Sequence, residues 1–307
     1  MFEIVEVPVD AGEMLEPMGT KRKFWYGDES LGRVLFKEAR EGSGEDWSEK
    51  VASELCELMG IPHAHYELAL WNGKKGVITP TVTKNGERLV HGNELLIEMD
   101  PDYASKSAQY RTPAHTVGAI VDVLMNRTVA VPGAAGLLPP TLRDGLDVFI
   151  GYMLLDALVG NSDRHHENWG VLIQGPPEAG QEVETLAPTF DHASCLGRNE
   201  PEARIIARLS TRDRGFSVEA YADRCLSAIF GDVNDNRPLA PLEVFRRFRE
   251  IRPEAASVWA QRVELIEAET LRTILGNVPP ERMNDATKEF VLKMTMYNRD
   301  RLVEVCL

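Results

Sequence analysis

One stretch constrains this chain more than any other: Gly160-Asn161-Ser162-Asp163-Arg164-His165-His166-Glu167-Asn168-Trp169-Gly170. It follows an apolar run from Asp147 to Val159 and precedes a shorter one from Trp169 to Ile173. A second acidic segment, Phe190-Asp191-His192, again follows an apolar-rich stretch. Two carboxylates and an amide therefore sit in loops beside regular structure. That layout suits phosphoryl transfer, which needs a carboxylate near the attacking hydroxyl and hard oxygen ligands for magnesium. The competing reading is plain loop chemistry, because Asn, Asp, Ser and Gly are common wherever a turn must satisfy its own backbone.

Upstream, Phe2 to Val9 reads as a strand that Pro8 pushes toward a sheet edge. Next come Gly19, Thr20, Lys21, Arg22 and Lys23 ahead of a strand, either a basic phosphate cradle or a solvated turn. Gly32 to Ala39 predicts a strand with Val34 and Phe36 on one face and Leu35 and Lys37 on the other. A lysine sharing a face with leucine either guards an exposed edge or holds phosphates. Asp46 to Met59 predicts a helix, with Asp46 as N-cap, Glu49 completing a capping box, and Gly60 with Pro62 as the stop. His65 to Trp71 and Lys75 to Val82 read as a hairpin across Asn72-Gly73. His63, His65 and His91 lack metal-site spacing and read as packing or surface residues.

After about residue 95 the period becomes helical. Thr112 with Pro113 is expected to open one helix and Thr141 to cap the next, which feeds Asp163. Trp169 to Ile173 and Val183 to Phe190 read as a strand pair. Arg204, Arg208, Arg212 and Arg214 form a basic run, either a solvated face or a site for an acidic or phosphorylated segment. Pro241 to Ile251, Glu254 to Leu275 and Pro280 to Val305 read as three closing helices.

A formal charge of −14 argues against a protein built mainly to coat nucleic acid or anionic membrane. The four cysteines, Cys56, Cys195, Cys225 and Cys306, are scattered and indicate neither a zinc site nor a disulfide framework. No apolar run reaches membrane-spanning length, and the chain does not open on a signal peptide, so a reduced, cytoplasmic protein is expected.

The segment GNSDRHHEN with FDH downstream resembles the catalytic and metal-binding loops of the HipA-like protein kinases, whose architecture is similar to that of the phosphatidylinositol kinases. The resemblance implies an α+β, two-lobed kinase-like fold, with a β-rich lobe over residues 1–95 and a helical lobe over 96–307. It implies ATP and magnesium between them and Ser/Thr protein phosphorylation, with a toxin or growth-control role and an antitoxin partner as candidates. Asp163 is implied as the catalytic carboxylate, and Asn168 and Asp191 as metal ligands. Lys37 would hold phosphates, oriented by Glu49 or its rival Glu54. Gly19, Thr20, Lys21 and Lys23 would form the phosphate loop, although GxGxxG is missing. Thr20 would be its regulatory phosphosite, and the chain near Val82 would meet adenine. His165 would either shape the loop or touch phosphate. Asp191-His192-Ala193 stands where ordinary protein kinases carry Asp-Phe-Gly. The acceptor stays open between protein and lipid or small-molecule hydroxyls. From another class, a metal-dependent hydrolase could use His165, His166, Asp163, Asp191 and His192, and a catalytically dead, binding-only kinase fold is the third reading.

Overall fold

The computed structural model describes residues 1–13, 22–84, 86–103, 111–132, 138–175 and 182–306. Its first sheet comprises β1 (Ile4–Glu6), β2 (Lys23–Asp28), β3 (Gly32–Glu38), β4 (Glu67–Trp71) and β5 (Lys74–Pro80), in the order β1-β4-β5-β3-β2. Strand alternation sends Phe24, Tyr26, Val34 and Phe36 to one face, where they pack with Trp71 and Ile78. Lys23 and Lys37 stand opposite each other in the antiparallel ladder and share the other face. β3 lies between β5 and β2, so Lys37 does not guard an edge. The β4–β5 turn is Asn72-Gly73, both at positive φ, 49° and 74°, as a two-residue hairpin of the primed type requires.

Helix α1 (Glu45–Met59) is bonded to both parts of the molecule. Gly44 occupies its N-cap and no side chain caps it, contrary to the expected Asp46–Glu49 capping box. Both carboxylates are buried instead, Asp46 against Arg282 and Glu49 against Lys37. A buried carboxylate needs a cation more than a backbone donor; Glu49 finds one on the neighbouring strand and Asp46 one far along the chain. Trp47, Val51, Leu55 and Met59 join the main core. Arg262 donates from Nη1 to the carbonyls of Met59 (2.6 Å) and Gly60 (3.2 Å), and Arg282 from Nη2 to that of Ala69 (2.8 Å).

A second sheet, ordered β6-β7-β8, joins β6 (Glu87–His91), β7 (Gly170–Gln174) and β8 (Val183–Leu186). β6 belongs in sequence to the first 95 residues, yet its ladder runs to β7 beside the candidate loop. β8 stops at Leu186, short of the Phe190 expected. Between β6 and β7 lie α2 (Gly92–Met99), α3 (Val117–Asn126) and α4 (Gly145–Val159). α3 starts later than expected: Thr116 caps it, accepting from Ala119 N at 3.1 Å. α4 is capped by Asp144, which accepts from Asp147 N at 3.0 Å, not by Thr141. Every residue of α4 is buried. It packs on α7 (Pro241–Ile251), α8 (Pro253–Glu264) and α10 (Asp285–Cys306), while α5 (Glu202–Ser210), α6 (Val218–Asp223) and α9 (Ala268–Asn277) complete the helical part. The helix expected from Glu254 to Leu275 is thus two, α8 and α9, broken where Ile266 turns into the core. Among the described residues no helix is long and apolar enough to cross a membrane.

Candidate active site

The site begins at the middle of the first sheet. From β3, Lys37 places Nζ 2.7 Å from Glu49 Oε1 and 2.7 Å from Asp191 Oδ1. The second oxygen of Glu49 accepts from His192 N at 2.7 Å, so this glutamate binds the strand lysine and the downstream acidic loop together. Glu54 points elsewhere and pairs with Lys50 at 2.7 Å. Tyr66 lies with its ring 5.4 Å from the Lys37 ammonium, and its hydroxyl accepts from Asp191 N at 3.2 Å. Asp191 sits at φ 60°, a left-handed conformation that an aspartate tolerates better than most side chains. Burial opposes the Lys37 charge, but Asp191 and Glu49 outweigh it and hold the ammonium well above lysine's ordinary pKa. Burial also raises Glu49, and Lys37 offsets only part of that. The side chain of Glu49 is 1% exposed and that of Asp191 39%, so Asp191 is the carboxylate that can turn toward a ligand.

α4 delivers the second half of the site. Gly160 closes the helix at φ 61°, and the next residues fold around Arg164. Its guanidinium grips Asp156 with two bonds of 2.8 Å, and Nη1 donates to the carbonyls of Asn168 (2.7 Å) and Phe190 (3.4 Å). Asn161 bonds Asp156 at 2.8 Å and accepts from Asp163 N at 3.1 Å. Asn168 Nδ2 donates to the Asp163 carbonyl at 2.8 Å. Ser162 donates to the Ser194 carbonyl, and Ser194 Oγ lies 3.2 Å from Asp163 Oδ2. The loop bearing Asp163 and the segment after Asp191 are thus one bonded unit.

The histidines are committed to structure. Glu167 N donates to His165 Nδ1 at 3.2 Å, which leaves the proton on Nε2. Burial lowers the His165 pKa against the pull of Asp163 and Asp191. His166 Nδ1 bonds Tyr103, His91 Nδ1 donates to the Glu167 carbonyl, and His192 Nε2 bonds Thr189. His115 accepts from Trp169 through Nε2, and burial pushes its pKa down to about 3. Among the described residues, no group of three or more His, Cys, Asp and Glu is placed to hold a metal ion. Magnesium asks for less: one or two protein oxygens, with phosphates and water completing its shell. Asn168 and Asp191 fit that role. The amide nitrogen of Asn168 is committed, which leaves its oxygen to ligate, and the exposed carboxylate of Asp191 supplies a hard anionic donor.

Of the remaining expected residues, Gly19, Thr20 and Lys21 lie outside the described residues. Lys23 shares the face of Lys37. Val82 is half-buried and packs, with Phe190, on the Tyr66–Leu68–Val77 cluster beside Asp191. Tyr66, Asp156 and Ser194 escaped the sequence reading. Asp156, a charge in the apolar last half of α4, is the one that left a signal.

No protein-family model matches this chain, and no curated protein matches it. Solved structures do. A proinflammatory kinase of Helicobacter pylori, CtkA, superposes with a TM-score of 0.70 at 20% identity, covering 95% of this chain and 94% of that one. HipA of Shewanella oneidensis, solved with HipB and operator DNA as a toxin–antitoxin system, superposes with a TM-score of 0.56 at 12% identity. That match covers 95% of this chain and 64% of the HipA chain. The fold is that of the HipA-like kinases. A small sheet and a larger helical part are the kinase-like architecture expected from the loop motifs.

Proposed function

We propose that this chain is an ATP- and magnesium-dependent kinase that transfers phosphate to a serine or threonine hydroxyl of a protein. The observation that carries the reading is the Lys37 ammonium, 2.7 Å from both Glu49 and Asp191, whose following segment is bonded to the loop of Asp163 and Asn168. When bound, magnesium-ATP supplies the transferable phosphoryl group and the cation that balances its charge. Lys37 holds phosphate oxygens, and buried Glu49 keeps it aimed. Asp191 and Asn168 offer oxygens to the metal. Asp163 receives the proton of the acceptor hydroxyl and sets its line of attack. Arg22 and Lys23 add positive charge along the phosphates, and the chain near Val82 borders the adenine end. His165, neutral and bonded within the loop, shapes it. The HipA likeness adds an antitoxin-type protein as a candidate partner, to be sought by co-purification.

The test is thermal melting with ATP and magnesium, followed by phosphate transfer to a panel of protein and lipid acceptors with mass mapping of the product. Asp163→Asn should lower transfer by about a hundred- to ten-thousandfold and leave the ATP-magnesium melting shift intact. Full transfer by Asp163→Asn overturns the reading, and phosphate found only on lipid reassigns the acceptor.

A further inference from the structure

The geometry points to Ser194 and Arg198 as positioning residues that fix which oxygen of Asp163 meets the acceptor, an inference that rests on the kinase reading. Arginine has donors and no acceptor, so Arg198 Nη2, 2.8 Å from Ser194 Oγ, can only give a hydrogen to it. The serine's own hydrogen is thereby turned away from the cation and onto Asp163 Oδ2, 3.2 Å distant. Among the described residues Asp163 Oδ1 takes no hydrogen bond. One oxygen is pinned, the other stays open, and the carboxylate loses its freedom to swing between them.

Arg198 is itself held. Its Nη1 bonds Glu45, a buried carboxylate in the first turn of α1, and its carbonyl accepts from Gly44 N at 3.0 Å. Glu45 and Glu49 stand four residues apart on that helix, hence on one face. A single rigid element therefore aims Lys37 through Glu49 and Asp163 through Glu45, Arg198 and Ser194. Nucleotide side and acceptor side are set together. Ser194 and Arg198 also line an open cavity of about 220 Å³ with Ser162 and Arg224, so neither is there to fill core volume.

Steady-state kinetics on Ser194→Ala, Ser194→Thr, Arg198→Ala and the Ser194→Ala/Arg198→Ala double variant test this. Misplacing a reacting group costs up to about a hundredfold. Ser194→Ala should therefore lose about ten- to hundredfold in kcat, with the KM for ATP and the ATP-magnesium melting shift unchanged. Ser194→Thr restores the hydroxyl and should recover most of the rate. Arg198→Ala should match Ser194→Ala, and the double variant should be no slower than the slower single, because both break one chain of bonds. Should Arg198→Ala fail to fold, the Ser194 pair decides alone. A Ser194→Ala protein as fast as the parent, or one whose loss lies in the KM for ATP, overturns the inference and leaves the kinase reading standing. A parent protein that transfers no phosphate to any acceptor overturns both.

Discussion

Two ion-pair centres lie side by side in this molecule and are built differently. Arg164 and Asp156 are both out of solvent, and the guanidinium is spent on the carboxylate and on two loop carbonyls. Lys37 meets one carboxylate as buried as Asp156 and a second, Asp191, that remains partly open. The first centre is closed: nothing can be exchanged without exposing a charge to the interior, so it holds a shape. The second keeps one partner, Asp191, partly open to solvent, and under the proposed function that is the one to meet a ligand while Glu49 stays in place. Burial of a charge alone therefore says little about function. What differs between the two centres is whether one partner reaches solvent.

Breaking the closed centre should have the largest effect on folding. Arg164→Ala strands Asp156 in the core and should cost about 3–5 kcal/mol of stability, read by urea denaturation. Arg164→Lys cannot reproduce the two-pronged grip and should recover little of it. A parent-like midpoint for Arg164→Ala would show that the loop holds its shape without this pair.

Breaking the open centre at Asp191 should act on binding. Indirect partners of a metal are already worth about ten- to hundredfold in affinity. Asp191→Asn should therefore weaken magnesium-dependent ATP binding by at least about tenfold. Its stability should stay within about 1 kcal/mol of the parent. Titration calorimetry with and without magnesium checks this, and equal affinity in the two proteins would close the second centre as well.

The smallest effect is expected just outside. Glu54→Gln removes a half-exposed partner of Lys50, which keeps Glu67 at 2.8 Å. Stability should change by about 0.2–1 kcal/mol and ATP affinity not at all, whereas Glu49→Gln should weaken ATP binding. Equal binding losses at the two positions would blur the distinction between the centre and its surroundings.

The parts of the site legible in the sequence were those where chemistry dictates residue type. Asp163, Asn168 and Asp191 stand out as candidates because carboxylates and an amide in loops are what phosphoryl transfer would want, and Lys37 because a cation shares a face with leucine. Glu49 and Glu54 could not be separated by helical pattern, since that pattern does not say which polar face lies against the sheet. Asp46 looked like a cap for the same reason: its partner Arg282 is 236 residues away. The cap positions at Thr112 and Thr141 failed because any Ser, Thr or Asp before an apolar run qualifies, and packing chose Thr116 and Asp144. The pairing of β6 with β7 spans a run of helices and left no local trace. Tyr66 and Ser194 matter only through neighbours that the fold supplies.

The bond between Asp46 and Arg282 sets an order in time. A ribosome makes the helix bearing Glu49 long before it makes Arg282, so for most of synthesis that helix lacks its anchor. Lys37, likewise, waits 154 residues for Asp191. A growing chain, or one cut short before Arg282, therefore carries Asp46 without its buried cation. The contact between Asp46 and Arg282 therefore joins the early helix to residues made near the end of the sequence.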